Sequence, residues 1–457
     1  MSARAPGRTS AGGRADLRRL GVLMATAFVD MIGFAIVLPL LPFYALRLGA
    51  EEWMVGPLVA AYSLAQLASS PLWGRVSDRY GRRPVILVGL FASAVAYVIF
   101  GLADALWLLF AARLAQGSGG GTTGVLQAYI ADSTAPNDRA RALGWLSAAT
   151  SAGVMIGPAL GSLAAAWGPA APGLVAAGLC LLNLGFAARW LPESAPGVRP
   201  GPGSRRARGA AQAARYGSRR SAERPREPEP APTGTPARRS IRAAILEVLR
   251  HPTGPVPRLI WVYGVGMLAF SAMAAVLPLF LRARLGVTEK TIGYFFVYFG
   301  TVNVILRALL LGPIVDRWGE ERVMRFGAAV LAMAFAAIPF ASSVPAFVAI
   351  AGGMPVGTAL LFPATSAMVT HRTAEHEMGQ TLGVQQAFGG VARVLGPVGG
   401  AAAFQGLGPG VPFFAAGALV AGALAFVVHA ARREPAPAAR APAPRPEEPI
   451  PPSELEP

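Results

Sequence analysis

Asp30, Arg113 and Arg393 are charged residues embedded in long apolar stretches, and that setting defines their chemistry. A lone carboxylate near the middle of a membrane span is costly to ionise. Asp30 is therefore suited to taking up and releasing a proton, or else to a structural hydrogen bond with a neighbouring helix. Arginine keeps its charge. Arg113 therefore acts by tuning a nearby carboxylate or holding an anion, unless it snorkels to the membrane surface. Arg393 lies too deep to snorkel and is expected to face a cavity, or to pair with Asp30 or a backbone carbonyl. Arg307 is shallower and reads as structural. Gln66, Gln127, Asn303 and Gln386, together with Tyr129 and Gln385, are candidates for lining a substrate cavity or joining helices. Phe34, Trp261, Phe295, Phe296 and Phe299 are candidates for an aromatic wall, but aromatics facing lipid are common in such helices.

These residues need a membrane-embedded frame, and composition supplies one. The 457 residues are 53% hydrophobic and 14% charged, too few charges to cover a soluble domain. The net charge of +17 comes from arginines clustered beside apolar stretches, as on the cytoplasmic side of membrane proteins, and does not indicate nucleic acid. Cys180 is the single cysteine, so no intrachain disulfide forms. No metal-spaced cluster, nucleophile–base pair or phosphate-binding G-x-x-x-x-G-K-[ST] motif occurs; an enzyme, a metal site, a cofactor and an ATP-driven pump are not expected. Gly119-x-Gly121-x-x-Gly124 matches a dinucleotide fingerprint only formally, because it lies inside an apolar stretch with no strand before it.

At about 20 apolar residues per crossing, spans 1 to 12 are predicted at 21–43, 55–73, 84–103, 106–131, 142–165, 171–190, 259–281, 291–313, 323–341, 345–370, 380–404 and 411–431. This divides the chain into a tail (1–20), a six-helix bundle (21–190), a linker (191–258), a second six-helix bundle (259–431) and a tail (432–457). No cleavable signal peptide is evident; the first apolar run reads as a retained span. Arginines concentrate in the tails, the linker and the loops at 74–83, 132–141 and 314–325, so both termini are expected to be cytoplasmic, in a cell (inner) membrane. Residues 195–240 and 434–457 are expected to be disordered. Ile241 to His251 reads either as a short helix on the membrane surface or as an extension of the disordered linker.

Gly74-Arg75-Val76-Ser77-Asp78-Arg79-Tyr80-Gly81-Arg82-Arg83 forms a dense charged turn between spans 2 and 3. A degraded copy, Gly312-Pro313-Ile314-Val315-Asp316-Arg317-Trp318-Gly319, follows 238 residues later. Val37-Leu38-Pro39-Leu40 is echoed by Val276-Leu277-Pro278-Leu279, Arg47-Leu48-Gly49 by Arg284-Leu285-Gly286, and Gly157-Pro158 by Gly396-Pro397. Two parallel repeats, with a cavity between them, are the expected result. In the second copy Glu320 and Glu321 replace Arg82 and Arg83, so the first charged turn is expected to dominate. Arg82 is predicted to reach Asp132, and Asp78 to lie near the cytoplasmic surface, forming pairs that switch as the halves open and close. Gly153, Gly157, Pro158 and Gly161 let another helix approach span 5 closely and bend it.

Together the Gly74–Arg83 turn, Arg113-Leu114-Ala115-Gln116-Gly117 in span 4 and Gly153-Val154-Met155-Ile156-Gly157-Pro158-Ala159-Leu160-Gly161 in span 5 resemble the major facilitator superfamily, and within it the drug:proton antiporters. Ser162 departs from the second glycine common at the end of the span 5 motif, a small change. The resemblance implies an all-α membrane protein of twelve helices in two six-helix repeats. It also implies a role for Arg113 in proton coupling, docking of Asp78 at the start of span 11, and export of small apolar or amphipathic compounds against protons by a monomer. Uptake of a sugar, organic acid or other metabolite is the alternative within transport, and a non-transporting sensor is a more distant one.

Overall fold

The computed structural model describes residues 11–120, 123–134, 138–193, 241–374 and 377–433. The stretches predicted to be disordered, together with Gly121 of the formal dinucleotide fingerprint, lie outside these residues. The described residues are helical throughout, with no strand among them. They form twelve rods: Ala11–Val37 with Leu41–Arg47, Val55–Tyr80, Arg82–Gly101, Leu106–Gly120 with Thr123–Ser133, Arg139–Ala164, Ala171–Trp190, Pro257–Leu285, Ile292–Ile305 continuing to Trp318, Glu320–Ala337, Val344–Ala351 with Gly353–Arg372, Met378–Leu407 and Val411–Arg433. These rods are spans 1 to 12.

Ten rods are long and apolar enough by themselves to cross a membrane. The other two depart for identifiable reasons. Span 2 has the length, but Tyr62, Ser63, Gln66, Ser69 and Ser70 dilute its apolar content. Span 4 is described as two shorter helices flanking residues 121–122. Exposed aromatics mark both ends of the bundle, with Trp107, Trp167 and Tyr294 at one and Tyr80, Trp145, Trp190 and Trp318 at the other, as in a protein spanning two membrane–water interfaces.

Several boundaries shift from the predicted ones. The charged stretch after span 2 is a helix up to Tyr80, and the turn is Gly81 alone, at φ 101°. A side chain there would also meet the Glu193 carboxylate, 2.7 Å from an added Cβ. The second copy behaves alike: its helix runs to Trp318, and Gly319 turns at φ 77°. Span 1 breaks after Val37 because Pro39 has no N–H to continue the ladder. Residues Ile241–Arg250 form a helix, seated on span 7 by a bond from the Trp261 Nε1–H to the Val248 carbonyl (3.0 Å).

Close helix contacts fix the two halves in the same way. Added Cβ atoms on Gly153, Gly157 and Gly161 would strike the Phe28, Ile32 and Ile36 carbonyls of span 1 at 2.5, 2.7 and 2.7 Å. Gly396 and Gly400 of span 11 meet the Leu268 and Ala272 carbonyls of span 7 at 2.7 Å each. Only hydrogen fits at these five positions.

Candidate functional site

The halves meet at the end opposite the charged turns. There Arg47 pairs with Glu289, and the Ser162 hydroxyl donates to the Glu289 carbonyl (2.9 Å) while accepting from the Gly293 N–H (2.8 Å). On the other side of the seam the Trp53 N–H donates to Gln405 Oε1 (2.9 Å), and Gln405 Nε2 donates to Glu51 (2.9 Å). One apolar core runs through this end of both halves, from Ile36, Leu58 and Phe100 to Phe280, Phe335 and Phe404. At the charged end the first half has a separate core of its own, around Leu23, Ile86, Tyr129 and Ile130. Span 8 there, from Leu306 to Trp318, buries no residue. The bundle is thus closed at one end and parted at the charged end.

Between these ends lies a charged cluster built on Tyr62 of span 2. The Arg113 guanidinium sits over its ring, 4.7 Å from the centroid, and Phe34 stacks obliquely at 4.9 Å. Gln66 Nε2 donates to the Tyr62 hydroxyl (3.3 Å) and to the Gly120 carbonyl (3.2 Å). Span 4 has to be glycine beneath this residue: an added Cβ on Gly117 would lie 2.2 Å from the Tyr62 carbonyl. Asp30 of span 1, Arg113 of span 4 and Arg393 of span 11 are all within electrostatic reach of the Tyr62 hydroxyl. Arg113 is 1% exposed and bonds Gln116, so it is packed inside the half and does not snorkel. Asp30 and Arg393 are half-buried, and neither hydrogen-bonds nor ion-pairs with any described residue. Of the alternatives for Arg393, the pair with Asp30 is not formed in this conformer. Arg307 is exposed on a π-helical turn of span 8, Leu306–Leu310, within reach of Tyr263 on span 7 and without an ion pair to a described residue. It is not held in a structural bridge.

At the charged end Arg82 bonds Asp78 (2.8 Å), Asp132 (3.1 Å) and the Ser77 hydroxyl. Asp78 is 68% exposed there and does not dock on span 11. Gly74 supplies its carbonyl to Ser77 Oγ (2.9 Å), and Arg79 lies over Tyr80. Asp316 and Arg317 are exposed without ion pairs to described residues. Instead, Glu320 approaches His371 (3.2 Å) and Glu321 pairs with Arg325. Glu320 and His371 fall where the repeat places Arg82 and Asp132, with the acid and the base exchanged.

The remaining polar candidates separate clearly. Asn303 donates to the Pro355 carbonyl (3.3 Å) and Thr358 Oγ1 (3.3 Å), Gln385 donates to Ser366 (3.1 Å), and Tyr129 donates to the Pro192 carbonyl (2.6 Å). The first two join helices, and Tyr129 ties span 4 to the segment that follows span 6. Gln127 and Gln386 are exposed and unbonded to described residues. Trp261, paired with Phe388 (5.5 Å), and Tyr263, paired with Phe362 (5.4 Å), put aromatic rings beside the turn of span 11 that precedes Arg393. An apolar groove of about 530 Å³ between spans 9 and 12, lined by Met333, Leu424 and Val428, lies away from the charged cluster.

Sequence reasoning missed Tyr62, Glu193 and the seam role of Ser162. Tyr62 and Gln66 lie one helical turn apart within a membrane-length helix, a signal that was available. Glu193 accepts from the Arg82 N–H (3.0 Å) and the Arg83 N–H (3.3 Å) and so caps span 3 from 111 residues away; nothing local marks it.

Comparison with known proteins agrees with this architecture. Residues 23–310 and 259–456 match the family model for the Major Facilitator Superfamily. The class C tetracycline resistance protein of Escherichia coli is 29% identical over 386 residues, 82% of this chain and 87% of that protein. Multidrug resistance protein 2 of Bacillus subtilis is 27% identical over 307 residues, 66% of this chain and 68% of that protein. The crystal structure of the human organic anion transporter MFSD10 (TETRAN) superposes with a TM-score of 0.61 at 21% identity, covering 90% of this chain and 99% of that one. With two matched six-helix halves around an intramembrane charged cluster, the chain belongs to the Major Facilitator Superfamily and is a multi-pass membrane transporter, not an enzyme.

Proposed function

We propose that this transporter exports small apolar or amphipathic compounds in exchange for protons. The observation that carries the reading is Asp30: it is the one carboxylate set mid-span among the described residues, and it has no fixed partner there. Such a group changes its protonation at low structural cost as access alternates. The span 5 glycines support the reading, because they clamp the turns of span 1 on either side of Asp30. The relatives named as tetracycline and multidrug resistance proteins support export. In this reading the charged end is cytoplasmic, the described conformer is open to the cytoplasm, and the halves rock about the Tyr62 cluster.

The test is transport in proteoliposomes. An imposed pH gradient should drive accumulation of an amphipathic compound on the acidic side, and that compound should drive proton release in return. Proton movement in the same direction as the compound overturns the reading.

A second reading, proton-coupled uptake of an organic acid, is favoured by one observation. Two guanidiniums lie mid-span, on Arg113 and Arg393, against the single carboxylate of Asp30. An anion held at Arg393 favours a proton on Asp30 by Coulomb attraction, so acid and proton travel together. The same assay separates the two readings by the sign of the coupling.

A further inference from the structure

We infer that Ser162 and Gln405 are removable helix caps, each lent by one half to the other, and that they hold the outer end shut. The first few N–H groups of a helix have no partner within it and need one from outside. Span 8 starts at Ile292, and its own N-cap residue, Thr291, makes no side-chain cap bond. The Thr291 hydroxyl turns back to accept from the Thr288 N–H (3.1 Å). The Gly293 N–H is served from the other half, by Ser162 Oγ at 2.8 Å. Ser162 is 5% exposed, and its own proton goes to the Glu289 carbonyl (2.9 Å), so both functions of the hydroxyl cross the seam.

The opposite side of the seam repeats the device with a different residue. The short turn Glu52–Met54 leads into span 2 and has no side-chain cap of its own. Its Trp53 N–H is served by Gln405 of span 11 at 2.9 Å. The repeat partner of Ser162 is Ala401, which has no hydroxyl; Gln405, one turn further on, takes over the role.

When the halves separate at this end, both caps are withdrawn and two helix starts lose a partner. The buried bond at Ser162 costs more to break than the exposed one at Gln405, because water replaces an exposed partner readily. Ser162 is thus the stronger lock. The departure from glycine at this position therefore shifts the balance of the two conformers in this chain.

The inference rests on the rocking cycle proposed above, but its test uses neither substrate nor pH gradient, so failure of the export reading leaves it standing. Thr301 faces Met155 across the seam (3.6 Å) and serves as the reporter. A Thr301→Cys variant in a Cys180→Ala background is labelled with an impermeant maleimide from either face of oriented vesicles. Ser162→Ala and Ser162→Gly should each raise the outer labelling rate about fivefold and lower the inner rate, the loss of about one net hydrogen bond. Gln405→Ala should change both rates less, in the same directions. Unchanged rates in both Ser162 variants overturn the inference. A rise in both rates together also overturns it, since that reports loosened packing and not a shifted equilibrium.

Discussion

Gly56 of span 2 lies directly against the Pro397 carbonyl of span 11: an added Cβ would stand 2.4 Å from that oxygen. Gly293 of span 8 meets the Pro158 carbonyl of span 5 at the same 2.4 Å. The four residues form two repeat-related contacts, each joining one half to the other. Each proline belongs to the Gly-Pro step whose glycine packs on the first helix of its own half, Gly157 on span 1 and Gly396 on span 7. A single Gly-Pro turn therefore grips within its half on one face and touches the other half with its carbonyl. Movement of spans 5 and 11 is thereby tied to the helices that carry Asp30 and its counterpart surface.

Gly56→Ala and Gly293→Ala should each disfavour closure of this end. Backbone has to retreat to admit the methyl group, and overpacking of this kind costs about 1–3 kcal/mol. That corresponds to about 5- to 150-fold in the closed-to-open ratio. Outer labelling of the Thr301→Cys reporter should rise accordingly, with coupled transport falling. Gly178→Ala is the control, since nothing lies within 4 Å of its added Cβ; it should leave both measurements unchanged.

Asp30→Asn should abolish proton-driven transport while leaving the protein folded and inserted. The substitution keeps shape and hydrogen-bonding capacity but removes the titrating group. Because Asp30 has no bonded partner among the described residues, thermal stability in detergent should stay within about 1 kcal/mol of wild type. Full pH-driven transport by this variant in proteoliposomes removes Asp30 from the mechanism.

The helices were legible because all but spans 2 and 4 follow one rule closely, an apolar run of membrane length, and the repeat of charged turns gave the six-plus-six division. The candidate site was legible only in part. Asp30, Arg113 and Arg393 stand out as charges in apolar surroundings, but their separation could not be read. Whether Arg393 reaches Asp30 depends on how far spans 1 and 11 stand apart, which side-chain types do not encode. Ser162 shows the same limit from the other direction. As one small residue for another it looked inconsequential, yet its hydroxyl bonds twice across a seam more than 120 residues away in sequence.

At the charged end, Asp78→Asn should impair the cycle more than Asp316→Asn. Asp78 shares Arg82 with Asp132, whereas Asp316 has no ion pair to a described residue. Asp78 is largely exposed, so the pair contributes about 0–1 kcal/mol to stability in this conformer. The defect should therefore appear in transport rate and not in melting temperature. Equal rate defects for the two variants would count against a dominant first turn.

The Arg47–Glu289 pair tests whether the seam carries energy through its charges or only through packing. Both side chains are partly exposed, at 40% and 25%, so a modest coupling of about 0.2–1 kcal/mol is expected. Arg47 also lies over the Tyr44 ring at 5.3 Å, and the Tyr44 hydroxyl bonds the Pro169 carbonyl. Removing Arg47 therefore disturbs more than one contact, and a single substitution would overstate the pair. A double-mutant cycle with Arg47→Gln and Glu289→Gln isolates the pairwise term, read from outer labelling of the Thr301→Cys reporter. The single variants should each raise labelling, and the double variant should add little to the larger of the two. Strict additivity would mean that the ion pair is incidental and that closure rests on the glycine–proline contacts and the transferred caps. Repeating the cycle at high salt gives an independent check, because screening weakens an exposed ion pair but leaves backbone contacts and buried hydroxyl bonds in place.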